Sequence, residues 1–244
     1  MTLDLPQNCL QPRKRAHCER CQRALRACIC ACAKTVESPI EVLILQHSAE
    51  KGHIKNTAGL LHLCLPNSRL WLAEQFPEEL LQIELAHDGK QTLLLYPDDS
   101  VTANAEPHFF EMPARLPVNR LRLLMIDATW RKSRQMLNAH PCLQTLPRYA
   151  LTHVPESKYV IRKARQAHQL STLEAACYAM MALDTSDKNY TPLLDALEAF
   201  NHLQCQFGVH RLQREPRFKM YRDARIYSTK ILSEISSKFS VALP

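Results

Sequence analysis

The sequence predicts an α/β protein, a mostly parallel sheet flanked by helices, and three observations carry that reading. Short β-type runs alternate with stretches of helical periodicity along most of the chain. Several of those helical stretches open on a recognisable start, either a proline or a capping pair. Internal repeats and low-complexity segments are absent, so a repeat architecture is not in play.

Taken in order, the first β run is IEVLILQ at 40–46, followed by a helical pattern over 57–65. A short run at 70–72 comes next. Pro77 is a good first helical position, Glu78 and Glu79 suit a first turn, and the helix they open ends near Gly89. The run TLLLY at 92–96 is the third strand and LRLLMI at 121–126 the fourth. A helix follows Trp130 with Met136 and Leu137 facing inward, and 149–154 is a fifth β run. Ser171 and Glu174 form a capping box that opens a helix with Leu173, Cys177, Met180 and Met181 at core spacing. Thr191 and Pro192 start another, in which Leu193, Leu197, Phe200 and Phe207 make a buried stripe. The last thirty or so residues are basic and read as a peripheral helix or tail.

Composition bounds the function. The chain has 244 residues, 46% of them hydrophobic, which suits one fairly large soluble domain or a domain with appendages. No stretch approaches the ~20 apolar residues of a membrane helix, and the first thirty residues hold no apolar signal core. A cytoplasmic protein without a membrane partner is expected. The net charge of +7 falls in clusters, at residues 13–15, 131–134, 162–165 and 211–225. Nucleic acid is the natural polyanionic partner, against the competing reading of a merely solvated basic surface. The four glycines fit neither a Rossmann fingerprint nor a P-loop, so a nucleotide-like cofactor needs another loop arrangement.

Five of the ten cysteines lie within residues 18–32, spaced Cys18-x2-Cys21-x6-Cys28-x-Cys30-x-Cys32. Structural Zn²⁺ on Cys18, Cys21, Cys28 and Cys30 fits this pattern best. Cys32 in place of Cys30, His17 as a ligand, iron as the metal, and disulfides remain alternatives. Flanked by Arg13, Lys14, Arg15, Arg20, Arg23 and Arg26, the knuckle reads as an RNA-facing appendage. Cys64, Cys142, Cys177 and Cys205 read as small buried residues.

The main chemical candidate is Asp127-Ala128-Thr129-Trp130, which follows the apolar run at 121–126. It gathers an acid, a hydroxyl and an indole at the C-terminal end of a strand, where ligands bind in open α/β sheets. The competing reading makes Asp127 or Thr129 a helix cap. Three further segments lie near strand ends: residues 46–50 with Asn56 and Thr57, Tyr96 with Pro97, and residues 171–175. Loops converging on one rim, together with a helix N-terminus, outline a cofactor pocket.

With these motifs in view, the chain resembles the DTW-domain family of tRNA-uridine aminocarboxypropyltransferases, over about residues 18–207. The resemblance rests on the front cysteines, Asn56-Thr57, Tyr96-Pro97, the D-x-T-W signature, Ser157-x-Tyr159-x-x-Arg162 and Ser171-Thr172-x-Glu174-Ala175. Ser48 departs from a proline common in relatives. The resemblance implies a SPOUT-like domain, with a knotted C-terminal cofactor loop as an open possibility. It also implies S-adenosylmethionine as co-substrate and tRNA as partner. On that basis residues 1–36 form a basic segment with the zinc knuckle, 37–208 the catalytic domain and 209–244 a basic helix or tail. Asp127 is then the general base or the acceptor that orients uracil N3–H. Tyr96, Pro97, Thr129, Trp130, Ser171, Thr172 and Glu174 are the candidates for cofactor binding, with Trp130 either stacking on a base or sitting in the core. Arg131, Arg134, Arg162, Lys163 and Arg165 are the candidates for tRNA phosphates. The rival functions are a SPOUT-type RNA methyltransferase and a non-catalytic zinc-containing RNA-binding module.

Overall fold

The structure, a computed structural model, describes residues 16–96, 117–151, 155–159, 161 and 170–207. Pro97, Arg162, Lys163 and Arg165 lie outside the described residues, as do the end of the fifth predicted strand and the basic C-terminal segment. Much of the connection from the fifth strand to the helix at Thr172, on which a knotted cofactor loop would fall, is likewise outside them.

Five strands form the sheet: β1 (Glu41–His47), β2 (Ser68–Ala73), β3 (Gln91–Leu95), β4 (Leu121–Asp127) and β5 (Arg148–Tyr149). Their order is β2-β1-β4-β3-β5, and every adjacent pair is parallel. β1 is buried along its whole length, as the unbroken apolar run at its centre requires of a strand covered on both faces. Alternation divides its side chains: Val42 and Ile44 enter one core, Leu43 and Leu45 the other.

The first core is closed by α1 (Ala58–Cys64), α5 (Thr172–Leu183) and α6 (Thr191–Gln206), through Leu60, Leu61, Leu173, Cys177, Met180, Leu193, Leu197 and Phe200. The second is closed by α2 (Glu78–Ala86), α3 (Trp130–Ala139) and α4 (Pro141–Gln144), through Leu81, Met136, Leu137 and Leu143. The result is a three-layer α/β/α arrangement. Ile29, Cys32 and Val36 are buried in the first core, so the second half of the cysteine knuckle and the segment after it are packed against the sheet domain.

Several boundaries differ from expectation for local reasons. Pro77 is the N-cap of α2 rather than its first residue. Phe207 follows α6 as its C-cap and is 47% exposed, because the helix ends before the stripe reaches it. Cys64 and Cys177 are buried as expected, whereas Cys142 and Cys205 are only partly so. Burial pushes all four thiols up, so none is activated as a nucleophile.

At the amino ends of the strands, Glu41 accepts from Arg69, Lys90 and Arg122, and the fully buried Arg122 also donates to Asp88 at 2.9 Å. This network ties β1, β2 and β4 to the start of β3.

Candidate active site

All five strands end on one rim because the sheet is parallel. The connection after β1 runs outward to β2, and that after β4 runs the other way to β5. The crevice between the carboxyl ends of β1 and β4 is therefore a topological switch point, where open α/β sheets bind ligands. The last register pair across it is Gln46 and Asp127.

Asp127 is 7% exposed and accepts three hydrogen bonds. Gln46 Nε2 donates to Oδ2 at 2.7 Å, Asn56 Nδ2 to the same oxygen at 2.6 Å, and Thr172 Oγ1 to Oδ1 at 2.7 Å. Asn56 is itself oriented, since its Oδ1 accepts from Gln46 Nε2 and from the Gly59 amide, each at 3.2 Å. All three donors to Asp127 are neutral, in contrast to the charge-paired Glu41 at the far edge. Asp127 does not cap α3. Thr129 holds the N-cap position, and its hydroxyl makes no capping bond either.

Tyr96 follows the carboxyl end of β3, and Trp130 opens α3 three residues after Asp127. Their rings meet edge to face, with centroids 6.1 Å apart and planes at 72°. Tyr96 is nearly buried, its hydroxyl 3.3 Å from Ser133 Oγ, and the Arg148 guanidinium lies 5.8 Å from its ring centre. Trp130 is 54% exposed, which excludes a core role and leaves an aromatic face open to a planar ligand. Arg131 and Arg134 are exposed in the first turns of α3. That first turn carries no acid, so its dipole and its basic residues favour an anion there.

The start of α5 closes the other side. Ser171 and Glu174 form the capping box: Ser171 Oγ accepts from the Glu174 amide at 3.3 Å, and Glu174 Oε2 accepts from the Ser171 amide at 2.8 Å. Glu174 is wholly buried and also accepts from Ser157 Oγ at 2.9 Å and the Lys158 amide at 2.6 Å. It thus docks residues 157–159 onto α5. The Leu173 amide is taken by Thr57 Oγ1 at 3.4 Å. Thr172 is the residue of this helix start that reaches Asp127.

The four-cysteine set forms as spaced. Sulfurs of Cys18, Cys21, Cys28 and Cys30 lie within 4.8 Å of one another, with Cys18 and Cys30 at 3.7 Å and Cys21 and Cys28 at 3.8 Å. A zinc ion about 2.3 Å from each thiolate sets tetrahedral edges of about 3.8 Å, so the residues fit that metal. Backbone amides of Cys21 and Arg20 draw the Cys18 thiol down to about 6, while burial and the neighbouring sulfurs push Cys30 up to about 12. Thiols this close do not all ionise without a cation among them. Cys32 is buried in the core, and neither its sulfur nor the His17 imidazole belongs to the group of ligand atoms within 4.8 Å of one another, so Cys30 completes the set. The knuckle is not wholly outward-facing: Arg23 turns inward, its guanidinium 5.4 Å from the ring centre of Phe200.

Gln46 and Asn56 are the site residues to which sequence reasoning gives no role. Both lie in strand-end segments, but their partner is shown only by the β1–β4 register for Gln46 and by the path of the loop after β1 for Asn56. No helix among the described residues is long and apolar enough to cross a membrane.

The DTW-domain profile matches residues 15–205. The chain is similar to tRNA-uridine aminocarboxypropyltransferase 2 of Mus musculus, 30% identical over 209 residues that cover 83% of this chain and 68% of the mouse protein. It is also similar to proteins of the same name from Macaca fascicularis, 29% identical with 85% and 70% covered, and Drosophila melanogaster, 29% identical with 81% and 77% covered. No solved structure matches the chain. Through the profile match, which takes in the cysteine knuckle, Asp127 and the start of α5, the chain belongs to the DTW-domain family.

Proposed function

We propose that this chain is a tRNA-uridine aminocarboxypropyltransferase with a SPOUT-like catalytic domain. It moves the 3-amino-3-carboxypropyl group of S-adenosylmethionine to N3 of a tRNA uridine and releases methylthioadenosine. The observation that carries the reading is the buried Asp127 carboxylate, held by three neutral donors at the switch point of a parallel sheet. The name borne by the mouse, macaque and fly relatives supports it.

S-adenosylmethionine supplies an electrophilic γ-carbon attached to a sulfonium. In the transfer the N3–Cγ bond forms, the S–Cγ bond breaks, its electron pair stays on sulfur, and the N3 proton departs. Asp127 takes or orients that proton. A carboxylate offers about four lone-pair sites, and three are occupied, which leaves one on the Oδ1 side for N3–H. Gln46, Asn56 and Thr172 fix the carboxylate plane, so the acceptor is oriented before uracil arrives.

Thr129, Tyr96, Pro97, Ser171 and Thr172 hold the co-substrate, with Glu174 supporting them from beneath through the α5 cap. The exposed Trp130 face stacks on adenine or uracil. Arg131, Arg134, Arg162, Lys163 and Arg165 bind tRNA phosphates, which makes affinity steeply salt-dependent. The target is a splayed uridine of the variable loop, since pairing blocks N3. The four cysteines hold a structural Zn²⁺.

Mass spectrometry of nucleosides and small products, from purified protein with bulk tRNA and S-adenosylmethionine, tests the proposal. Uridine gaining the aminocarboxypropyl mass, with methylthioadenosine released, is the expected result. Methylated nucleoside with S-adenosylhomocysteine, or tRNA binding without turnover, would overturn it.

A further inference from the structure

Residues 53–56 bring Asn56 to Asp127, yet they lie in turns without regular secondary structure. Two side chains from elsewhere gather their carbonyls. Arg23 donates from Nη1 to Ile54 O at 3.1 Å and from Nη2 to Asn56 O at 2.9 Å and His53 O at 3.4 Å. The Tyr159 hydroxyl donates to Lys55 O. Four consecutive carbonyls are thereby engaged, three of them by Arg23.

Arg23 is itself placed by the knuckle. The turn that opens at Cys18 closes through Gln22, at φ 59, with the Gln22 amide donating to Cys18 O at 2.8 Å and the Cys18 amide to Arg23 O at 2.7 Å. Cys18 and Cys21, two of the four candidate ligands, therefore fix the backbone from which the Arg23 side chain departs. Taking a guanidinium partly out of water to bond neutral carbonyls has a cost, here a partial one because Arg23 is half-buried. That cost is offset here by its contacts with those carbonyls and with the Phe200 ring.

We infer that Arg23 is a positioning residue, through which the four-cysteine knuckle holds residues 53–56, and with them the Asn56 amide, against Asp127. Its effect on turnover rests on the transferase reading, whereas the mechanical link does not. When Arg23 is lost, the Tyr159 bond to Lys55 O is, among the described residues, the side-chain hold that remains on these carbonyls, and Asp127 has a less firmly fixed donor.

The test compares the full-length, zinc-loaded wild type with Arg23→Ala and Arg23→Lys. Zinc content, hydrogen exchange of the amides of residues 53–59, and kcat and KM for aminocarboxypropyl transfer are measured. In Arg23→Ala, zinc is retained because the four cysteines are untouched, exchange across 53–59 rises about tenfold, and kcat falls about tenfold with KM for tRNA little changed. Arg23→Lys, which can reach one carbonyl, recovers part of both losses. Stripping zinc from the wild type raises exchange in the same segment, and adds little to the rise already present in Arg23→Ala, because both perturbations act through one contact. The inference is overturned if exchange over 53–59 is unchanged in zinc-retaining Arg23→Ala, or if it rises while kcat stays at the wild-type value. It is also overturned if zinc removal adds as much to the variant as to the wild type. Should Arg23→Ala not fold, the Arg23→Lys comparison decides by the same criteria. A wild type without aminocarboxypropyl transfer would sink the transferase reading and leave exchange and zinc content to judge the link.

Discussion

Replacing Asp127 by asparagine separates the chemistry of the carboxylate from its place in the fold. The introduced amide can set its carbonyl oxygen where Oδ2 now lies and keep both the Gln46 and Asn56 donors. Its nitrogen then faces Thr172, whose hydroxyl rotates to accept. All three charge-assisted bonds become neutral ones, a loss of about 1 kcal/mol each, partly offset by the smaller desolvation cost of an amide. The net cost in stability is about 1–2 kcal/mol. Asp127→Ala is harsher, since the buried Gln46 amide and the half-buried Asn56 amide both lose this acceptor, at about 1–3 kcal/mol. For catalysis, losing a proton acceptor costs about 10²- to 10⁴-fold in rate, or about 3–5 kcal/mol in the barrier. The assay is methylthioadenosine release at saturating S-adenosylmethionine and tRNA, read beside the urea midpoint and tRNA affinity. Asp127→Asn should keep its fold and its tRNA affinity while turnover falls at least about 100-fold. Turnover within about threefold of wild type would refute the acceptor role, given the loss expected of a missing base.

Three other outcomes follow from the geometry. Cys30→Ser should abolish stoichiometric zinc binding while Cys32→Ala retains it, because of these two cysteines Cys30 is the one whose sulfur lies among the other three; metal analysis of purified variants checks this. Burial pushes the Glu41 carboxyl up, but Arg69, Lys90 and Arg122 outweigh it and hold the group at about 2, against an ordinary 4.5. A carboxyl depressed on folding stabilises above its unfolded value, and that contribution disappears as pH falls from about 4.5 to about 2. Glu41→Gln should therefore lower stability by about 2–3 kcal/mol at neutral pH, with the gap to wild type closing across that acid window in urea titrations. Trp130→Ala should leave the thermal midpoint nearly unchanged, since the ring is exposed, and weaken ligand binding by about 1–3 kcal/mol, measured by calorimetry with S-adenosylmethionine and with tRNA separately.

What was legible in the sequence is what local rules write there. The capping box at Ser171 and Glu174, the apolar runs of β1 and β4, and the spacing of Cys18, Cys21, Cys28 and Cys30 each lie within a few turns of chain, and each took its expected form. Asp127 was visible for the same reason, as an acid at the end of an apolar run. Its environment was not, because the donors that hold it come from 81, 71 and 45 residues away. No periodicity spans such separations; only the strand order β2-β1-β4-β3-β5 sets Gln46 beside Asp127. Arg23 shows the same limit in another form. Among the basic residues near the knuckle its charge suggested RNA, and charge alone does not say whether a guanidinium faces solvent or turns its donors to the protein's own carbonyls. The distinction matters for function, because an arginine that binds phosphate changes affinity and its salt dependence, whereas one that holds the 53–56 loop changes how well Asp127 is oriented before any substrate arrives.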